Sequence, residues 1–437
     1  MKSTISFFFL LLNLSVVFSL FGQKATVSES ERLGNFDIKN YSNKFLERPE
    51  SVWSVMRSNN SKKVYFGTYG GILEYDGKSV NTILVEGEIE DEITTSFTRT
   101  LIEDSENNIY AAGRGFFGEI VNGAFGSSQY LSLMEKIPDS INPYDQVFWG
   151  GVNKDNNIYL YTRDLIFRYN GNNFDNVWKL SERKGGVDTF GTIQTLIKVD
   201  DRIFVRVWGI GLFELKNDDF KFVEKSEIYS NNRIESMFSL NKNEIAILSS
   251  NLGVFIYNGS QFKSSKNKIL NNWVKEKLIY NTSETKKLSD GKIPLISFEG
   301  GIMIIDDQLN IVDLIDLNDG LPSNTITSIH IDINDDLYTT SLLSASKIRL
   351  SNSITSFGES NGIKGLVQSI KKIKGEIYFS TTEDVFRIES SNSPMDNSNI
   401  KDLEFNDIPK NFIQIGDDIL SVNNLNTILL RGGNKIL

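Results

Sequence analysis

"VYFGTYGGILEYDG", residues 64–77, sets four glycines among three tyrosines and closes on Asp76-Gly77. The stretch admits two readings: a glycine-rich loop that cradles a phosphate, or one tooth of a repeating structure. A phosphate cradle runs into a helix whose first amides point at the anion. Here the glycines lead instead into "GILEYDG", which reads as a further strand with its closing turn. The pattern also recurs, as a single cofactor loop would not. It returns as "IYAAGRGFFGEIVNG" from Ile109, "IYLYTRDLIFRYNG" from Ile158, "IFVRVWGIGLFELKND" from Ile203 and "IAILSSNLGVFIYNG" from Ile245. Looser copies begin at Ile293, Leu337, Ile377 and Ile419.

Taking Tyr65, Tyr110, Tyr159, Phe204, Ala246, Pro294, Tyr338, Tyr378 and Leu420 as equivalent, the spacings run from 40 to 49 residues. A period in the forties is that of β-propeller blades. Each period resolves into four short strands, in the first unit "VWSVMRS", "KVYFGTY", "GILEYDG" and "SVNTILV". Asp76-Gly77, Asn122-Gly123, Asn170-Gly171 and Asn258-Gly259 fall between third and fourth strands, where a tight hairpin needs positive φ. "SENN" (105–108) and "KDNN" (154–157) join first to second strands. The predicted fold is therefore all-β, a propeller of four-stranded antiparallel blades.

Such a meander has two unlike rims. One carries the short Asx-Gly turns. The other carries the long connections "VEGEIEDEITTSF" (85–97), "MEKIPDSINPYDQ" (134–146) and "SERKGGVDTFG" (181–191), together with the second-to-third turns. Loops of unequal length on one face of a rigid ring are where binding concentrates. Tyr69, Arg114, Phe116, Arg163, Trp208 and Glu299 fall there, with Trp53 and Trp149 near the start of inner strands. Aromatic faces interleaved with Arg and Glu suit stacking on sugar rings or planar groups, with the charges fixing orientation. The predicted ligand-binding set is Tyr69, Arg114, Phe116, Trp149, Arg163, Trp208 and Glu299. The alternative for each aromatic is packing in the wedge between blades.

The 437 residues are 40% hydrophobic, with 29 Phe against 7 Pro, enough for a large ordered core. Residues 1–22, "MKSTISFFFLLLNLSVVFSLFG", place a lysine before an apolar run that ends near small residues, the layout of a secretory signal peptide. Its removal takes Lys2 and shifts the formal net charge from -10 to about -11. That charge, with no basic run to offset it, excludes nucleic acid as a partner. The absence of Cys rules out disulfides and a cysteine-linked lipid anchor. No later window offers the ~18 apolar residues of a spanning helix. The expected product is soluble and periplasmic or secreted.

"SVWSVMRSNNSKKVYFGTYGGILEYDGKSV" and "GLPSNTITSIHIDINDDLYTTS" (320–341) resemble the propeller repeats in the sensor regions of Bacteroidetes two-component regulators. "FDIKNYS" and "SFGESNGIKGLVQSI" are similar to the same family, so the resemblance takes in most of the chain. It implies an extracytoplasmic sensor that normally adds a second ring, a Tyr-rich β-sandwich, a membrane helix and an output module. The chain departs from the family where Tyr replaces Trp and where "SLLSASK" lacks glycines, and it shows no sandwich, membrane helix or output. The lone His330 lies in an inner-strand stretch, "SIHIDI", and reads as a packed strand residue rather than a phosphoacceptor. Seven units would close a ring over residues 23–365, leaving 366–437 as two blades of an unfinished second propeller; the expectation is a chain cut from a longer sensor. An eight-bladed ring with a stray unit is the alternative.

Without Cys and with one His, thiol chemistry, Ser-His-Asp triads and histidine-rich zinc sites are excluded. Paired carboxylates stay open. "DINDD" (332–336) lacks the glycine and distal glutamate of a calcium loop. No cofactor or metal is expected. Three functions stand: a sensor propeller that takes a small-molecule or oligosaccharide ligand without catalysis, a protein-interaction scaffold, and a carbohydrate-active enzyme. Homodimerisation through the propeller is open as a further association.

Overall fold

The computed structural model describes residues 36–41, 51–89, 92–95, 97–123, 126–180, 191–280, 283–350, 357–358, 362–388, 400–402, 411–416, 418–422, 427–431 and 434–435. The predicted signal segment and most of the 181–191 connection lie outside them.

Alternating apolar strands cut by Asx and Gly turns fold as antiparallel meanders. Blades 1 to 5 occupy residues 52–83, 98–132, 150–178, 193–222 and 236–264, each with four strands in sequence order. Blade 6, residues 293–315, has three regular strands. In blade 7 the chain supplies three strands, residues 328–349, and the fourth comes from the N-terminal strand Asp37–Tyr41. That strand runs antiparallel to Ser344–Arg349, with Asp37 opposite Arg349 and Tyr41 opposite Ala345. An ion pair of 2.8 Å joins Arg349 to Asp37. The sequence pattern assigned "FDIKNYS" to no blade, because a strand donated across the ring leaves no trace in a local period.

Each blade is apolar on both faces, so its neighbours must cover both. The second strands Val64–Thr68 and Ile109–Gly113 are buried along their whole length. One cluster joins blade 1 to 2 through Tyr65, Ile72, Ala111 and Phe116. Further clusters link each blade to the next, and Tyr41, Val52, Phe66, Tyr338 and Ala345 return blade 7 to blade 1. Two hydrogen bonds cross the same seam, Val52 N to Leu342 O at 3.1 Å and Thr327 Oγ1 to Val52 O at 2.9 Å. Two more sheets follow, residues 369–402 and 411–435, packed together through Ile373, Tyr378, Val385, Phe412 and Ile419.

The turns follow the sequence in three of four places. Asp76, Asn170 and Asn258 each accept hydrogen bonds from the two backbone amides beyond the glycine. Gly77, Gly171 and Gly259 adopt φ of 99°, 88° and 89°. The preceding Tyr75, Tyr169 and Tyr257 donate their hydroxyls to those glycine carbonyls at 2.7, 2.7 and 3.0 Å. The fourth place, Asn122-Gly123, differs. There the hairpin lengthens, with Asn122 opposite Ser128, and Gly126 takes the positive φ. The long connection 85–97 is also more than a loop: Glu86–Ile89 pairs with Glu92–Thr95 as a hairpin.

Tyr41 is 4% exposed and packs edge-on against Tyr75 at 5.4 Å. Tyr41→Ala is expected to destabilise the protein by about 3 kcal/mol, as truncation of buried aromatics does. Exposed Asn81 provides the control, with Asn81→Ala staying within about 0.5 kcal/mol. Urea midpoints of the two variants measure the difference.

Candidate ligand site at the channel mouth

Inner strands enter the central channel from the long-connection rim, and how they enter decides what faces the opening. Blades 1, 2 and 4 each slip register at the first residues, between Val52 and Ser54, Thr98 and Thr100, and Ile193 and Thr195. The skipped residues are Trp53, Arg99 and Gln194. A bulge frees one residue from the ladder and re-aims its side chain. Trp53 and Arg99 turn into the channel, joined by Trp149 just before the inner strand Gly150–Lys154. Gln194 turns sideways, where its amide bonds the backbone of Ile234. The resulting cavity holds about 270 Å³ and is lined by Trp53, Arg99, Trp149, Tyr280, Glu284 and His330 among others.

At the mouth, aromatic rings and guanidinium groups alternate. The Arg99 guanidinium carbon lies 4.9 Å from the Trp53 ring centre, 5.1 Å from Phe97 and 4.9 Å from Trp149. Arg163 lies 4.5 Å from Trp149. Phe97 meets Trp53 edge-on at 5.4 Å and Tyr69 at 6.0 Å. Each cation–π contact is worth about 0.5–2 kcal/mol, depending on desolvation. Together they hold Arg99 in place on the cavity lining. No carboxylate among the described residues lies within ion-pair reach of Arg99, whose contacts are all with rings. Burial pushes the phenols of Tyr161 and Tyr280 upward in pKa, and the nearby Arg99 charge opposes that rise in both.

The carboxylates that line the cavity are already engaged. Glu103 accepts from Ser58 Oγ at 2.9 Å and from Asn59 Nδ2 at 2.7 Å. Asp104 accepts the turn amides of Glu106 and Asn108 at 2.9 and 2.8 Å. Glu284 pairs with Lys198 at 3.1 Å.

Glu284 belongs to the segment that should be blade 6's inner strand. Its two ends bond the sheet, Tyr280 N to Ile296 O at 3.2 Å and Leu288 N to Lys292 O at 2.8 Å. Between them the chain leaves the blade and pairs instead with blade 4, where Lys198 N donates to Ser283 O at 2.7 Å. Pro294 lies between Lys292 and Ile296 on the edge so vacated, and without an N–H it leaves no donor orphaned there. The departing segment also touches blade 5, through Thr285 and Ser236 at 2.7 Å. Blade 3 receives it at Gly150, where a Cβ would come within 2.7 Å of Ser283 Oγ.

The predicted residues separate into three groups. Tyr69, Trp149 and Arg163 join the mouth, with Tyr69 56% exposed. Trp208 and the exposed Arg114 and Glu299 stand apart from the cavity lining. Trp208 covers the fully buried Arg206, whose guanidinium is 4.1 Å away and bonds the Tyr229 and Ser230 carbonyls. Phe116 is corrected: at 0% exposure it fills the wedge between blades 1 and 2 and presents nothing to the rim. The rings expected to stack on sugars are themselves covered in part by arginines. Arg99, Phe97 and Tyr280 were missed, although Arg99 in "SFTRT" occupies the repeat position of Trp53 in "SVWS".

His330 lines the same cavity, and its Nε2 has no hydrogen-bond partner among the described residues. Burial lowers its pKa from 6.5 to about 3, with the Lys286 and Arg57 cations acting in the same direction. The imidazole is therefore neutral, on an inner strand as expected but half-buried at the cavity wall. No group of three metal-ligating side chains occurs among the described residues, and no described helix is long and apolar enough to cross a membrane.

No protein-family model matches the chain, and the search of curated proteins found no relative. Solved structures do share its fold. The extracellular domain of BT4673 from B. thetaiotaomicron, described in one solved structure as a one-component and in another as a hybrid two-component system, matches with TM-scores of 0.52 and 0.51 at 14% and 13% identity over 92% and 91% of this chain. The match takes in 54% of that domain, so the chain spans about half its length. The WD40 propeller of Doa1 gives a TM-score of 0.52 at 12% identity, covering 74% of this chain and 99% of that one. Virginiamycin B lyase from Staphylococcus aureus gives 0.51 at 9% identity, covering 72% and 99%. At such identities the likeness carries the β-propeller fold.

A histidine whose folded pKa is depressed binds its proton more readily in the unfolded chain. Stability linked to His330 is thus fully present above pH 6.5 and is lost as pH falls toward about 3. His330→Gln is expected to remove that loss, so the wild type weakens relative to the variant across this window. Denaturant midpoints taken at stepped pH detect it; parallel curves for the two proteins would contradict it.

Proposed function

We propose that this chain is an extracytoplasmic sensing propeller of a two-component-type receptor, binding a small molecule or oligosaccharide at the channel mouth and catalysing nothing. The observation that carries this reading is the convergence of Trp53, Arg99 and Trp149 from three successive blades on one cavity at the rim of long connections. At about 270 Å³ the cavity is slightly smaller than ordinary ligand pockets of about 300–1,000 Å³. It suits a monosaccharide-sized group better than an extended polymer. The signalling context is supported by the BT4673 domain, which is extracellular and has the same fold. The predicted signal segment agrees with that location.

The non-catalytic reading is supported by the engaged state of Glu103, Asp104 and Glu284, which leaves these carboxylates committed to turns and ion pairs. His330 is half-buried and held neutral by desolvation, unsuited to proton transfer at the mouth. One observation favours a second reading, in which the same rim docks a protein or a second copy. Tyr69, Leu342 and Leu343 are exposed side by side where blades 7 and 1 meet, Leu343 by 54%. Sedimentation of the protein as a monomer at all concentrations would remove self-association from this reading.

A thermal-shift screen against saccharides and small metabolites tests the main proposal. A ligand at a hundredfold excess over Kd adds about 2.7 kcal/mol of apparent stability. Trp149→Ala should abolish the shift, because it removes a wall of the cavity and the support of Arg99 and Arg163. No shift from any compound, or an undiminished shift in the variant, would overturn the assignment.

A further inference from the structure

We propose that Arg99 is the anchor of the site and that the ligand it takes carries a carboxylate. The inference rests on the sensing function proposed above and names its ligand chemistry. Around the cavity each acidic side chain has a partner: Glu103 bonds Ser58 and Asn59, Asp104 closes its own turn, and Glu284 pairs with Lys198. Arg99 stands differently. It lines the cavity, is half-buried, and contacts only the rings of Trp53, Phe97 and Trp149.

Those rings leave the guanidinium with its edge of N–H donors and no acceptor among the described residues. A guanidinium offers five donors in a planar fork that matches a carboxylate through two parallel hydrogen bonds. The three rings at cation–π distance supply no oxygen or nitrogen acceptor, so these contacts hold the guanidinium without satisfying its fork. A half-buried donor set of this kind gains most from an acceptor that enters the cavity. Lys286, the other cation on the cavity lining, reaches Glu284 at 4.0 Å, so Arg99 is the lining cation that meets no described carboxylate, and the chain's net charge of -10 disfavours a dianionic phosphate or sulfate more than a monoanion.

The position was built, not incidental. Arg99 is the residue released by a bulge between Thr98 and Thr100, at the place where blade 1 releases Trp53. Arg163 supports Trp149 from beyond, so the support of the anchor is itself braced. Tyr280 brings a phenol into the field of Arg99 at the cavity wall, where its hydroxyl can donate to a second oxygen of the ligand. Two sources of the same carboxylate fit this geometry: an acidic sugar of the uronate type, and a small non-sugar acid.

Calorimetric titration of the full chain with sodium glucuronate, glucuronate methyl ester, glucose and sodium benzoate tests the proposal. Glucuronate or benzoate is expected to bind, with the ester and glucose weaker by about 10- to 100-fold, the loss of charge-assisted hydrogen bonds. Tighter glucuronate assigns the carboxylate to a sugar, and tighter benzoate to a non-sugar acid. Arg99→Gln should weaken the acid by the same factor and neutral compounds by clearly less, with Arg99→Lys giving an intermediate loss for the acid. If the Gln variant does not fold, added NaCl on the wild type gives the readout, since it should weaken the acid and spare the neutral sugar.

Equal binding of acid and neutral sugar, or of acid by wild type and Arg99→Gln, overturns the carboxylate while leaving a sensor for neutral ligands. Absence of binding by all four compounds overturns the carboxylate proposal. The sensor reading then falls only if the broader metabolite screen is also negative.

Discussion

A sheet that is apolar on both faces cannot stand by itself, and this constraint governs the whole molecule. Each blade needs two neighbours, so a row of blades is satisfied only when its last member meets its first. The seam between blades 7 and 1 buries Tyr41, Val52, Phe66, Leu73 and Tyr338 among others. At about 1.5–3 kcal/mol for each large side chain, opening it would forfeit on the order of 10 kcal/mol. That is comparable with the whole net stability of a folded domain, about 5–15 kcal/mol. The strand Asp37–Tyr41 closes the outer edge of the same seam, so one short segment guards both an apolar face and an unpaired ladder.

Much of this was legible in the sequence because a propeller writes its period locally. Tyr65, Tyr110, Tyr159, Phe204 and Tyr338, picked out by spacing alone, are all buried between blades. Tyr-Asx-Gly at 75–77, 169–171 and 257–259 marked hairpins that the backbone forms with positive-φ glycines. What stayed hidden depends on contacts between distant residues. Blade 7 borrows its last strand from the other end of the ring, and no local pattern records that. Blade 6 read as a looser copy of the same unit, and the reason, an inner strand that belongs in part to blade 4, did not show.

The cavity at the channel mouth was partly legible, and what its side chains contact was partly misread. Tyr69, Trp149 and Arg163 were placed at the mouth, but Phe116 could not be told from a core residue, because aromatic side chains serve rim and wedge alike. Arg99 escaped notice because a bulge sets its direction, and in simple alternation the same residue would read as one more inner-strand position. The aromatic residues, expected to meet the ligand directly, act largely on arginines instead. Their contribution is to hold cations still inside a protein whose overall charge is negative.

An ideal ring of like blades is nearly symmetric about its axis, and a guest on that axis would have many equivalent ways to lie. Residues 283–288 end that degeneracy. By reaching across to Lys198, Ser236 and Gly150 they fill the lumen beside blades 4 and 5 and leave the vacancy between themselves and the inner strands of blades 7, 1, 2 and 3. The hollow is thereby lopsided, a chamber with one furnished wall. Unlike walls around one hollow remove the rotational equivalence that a wheel of repeated parts would otherwise impose on its centre.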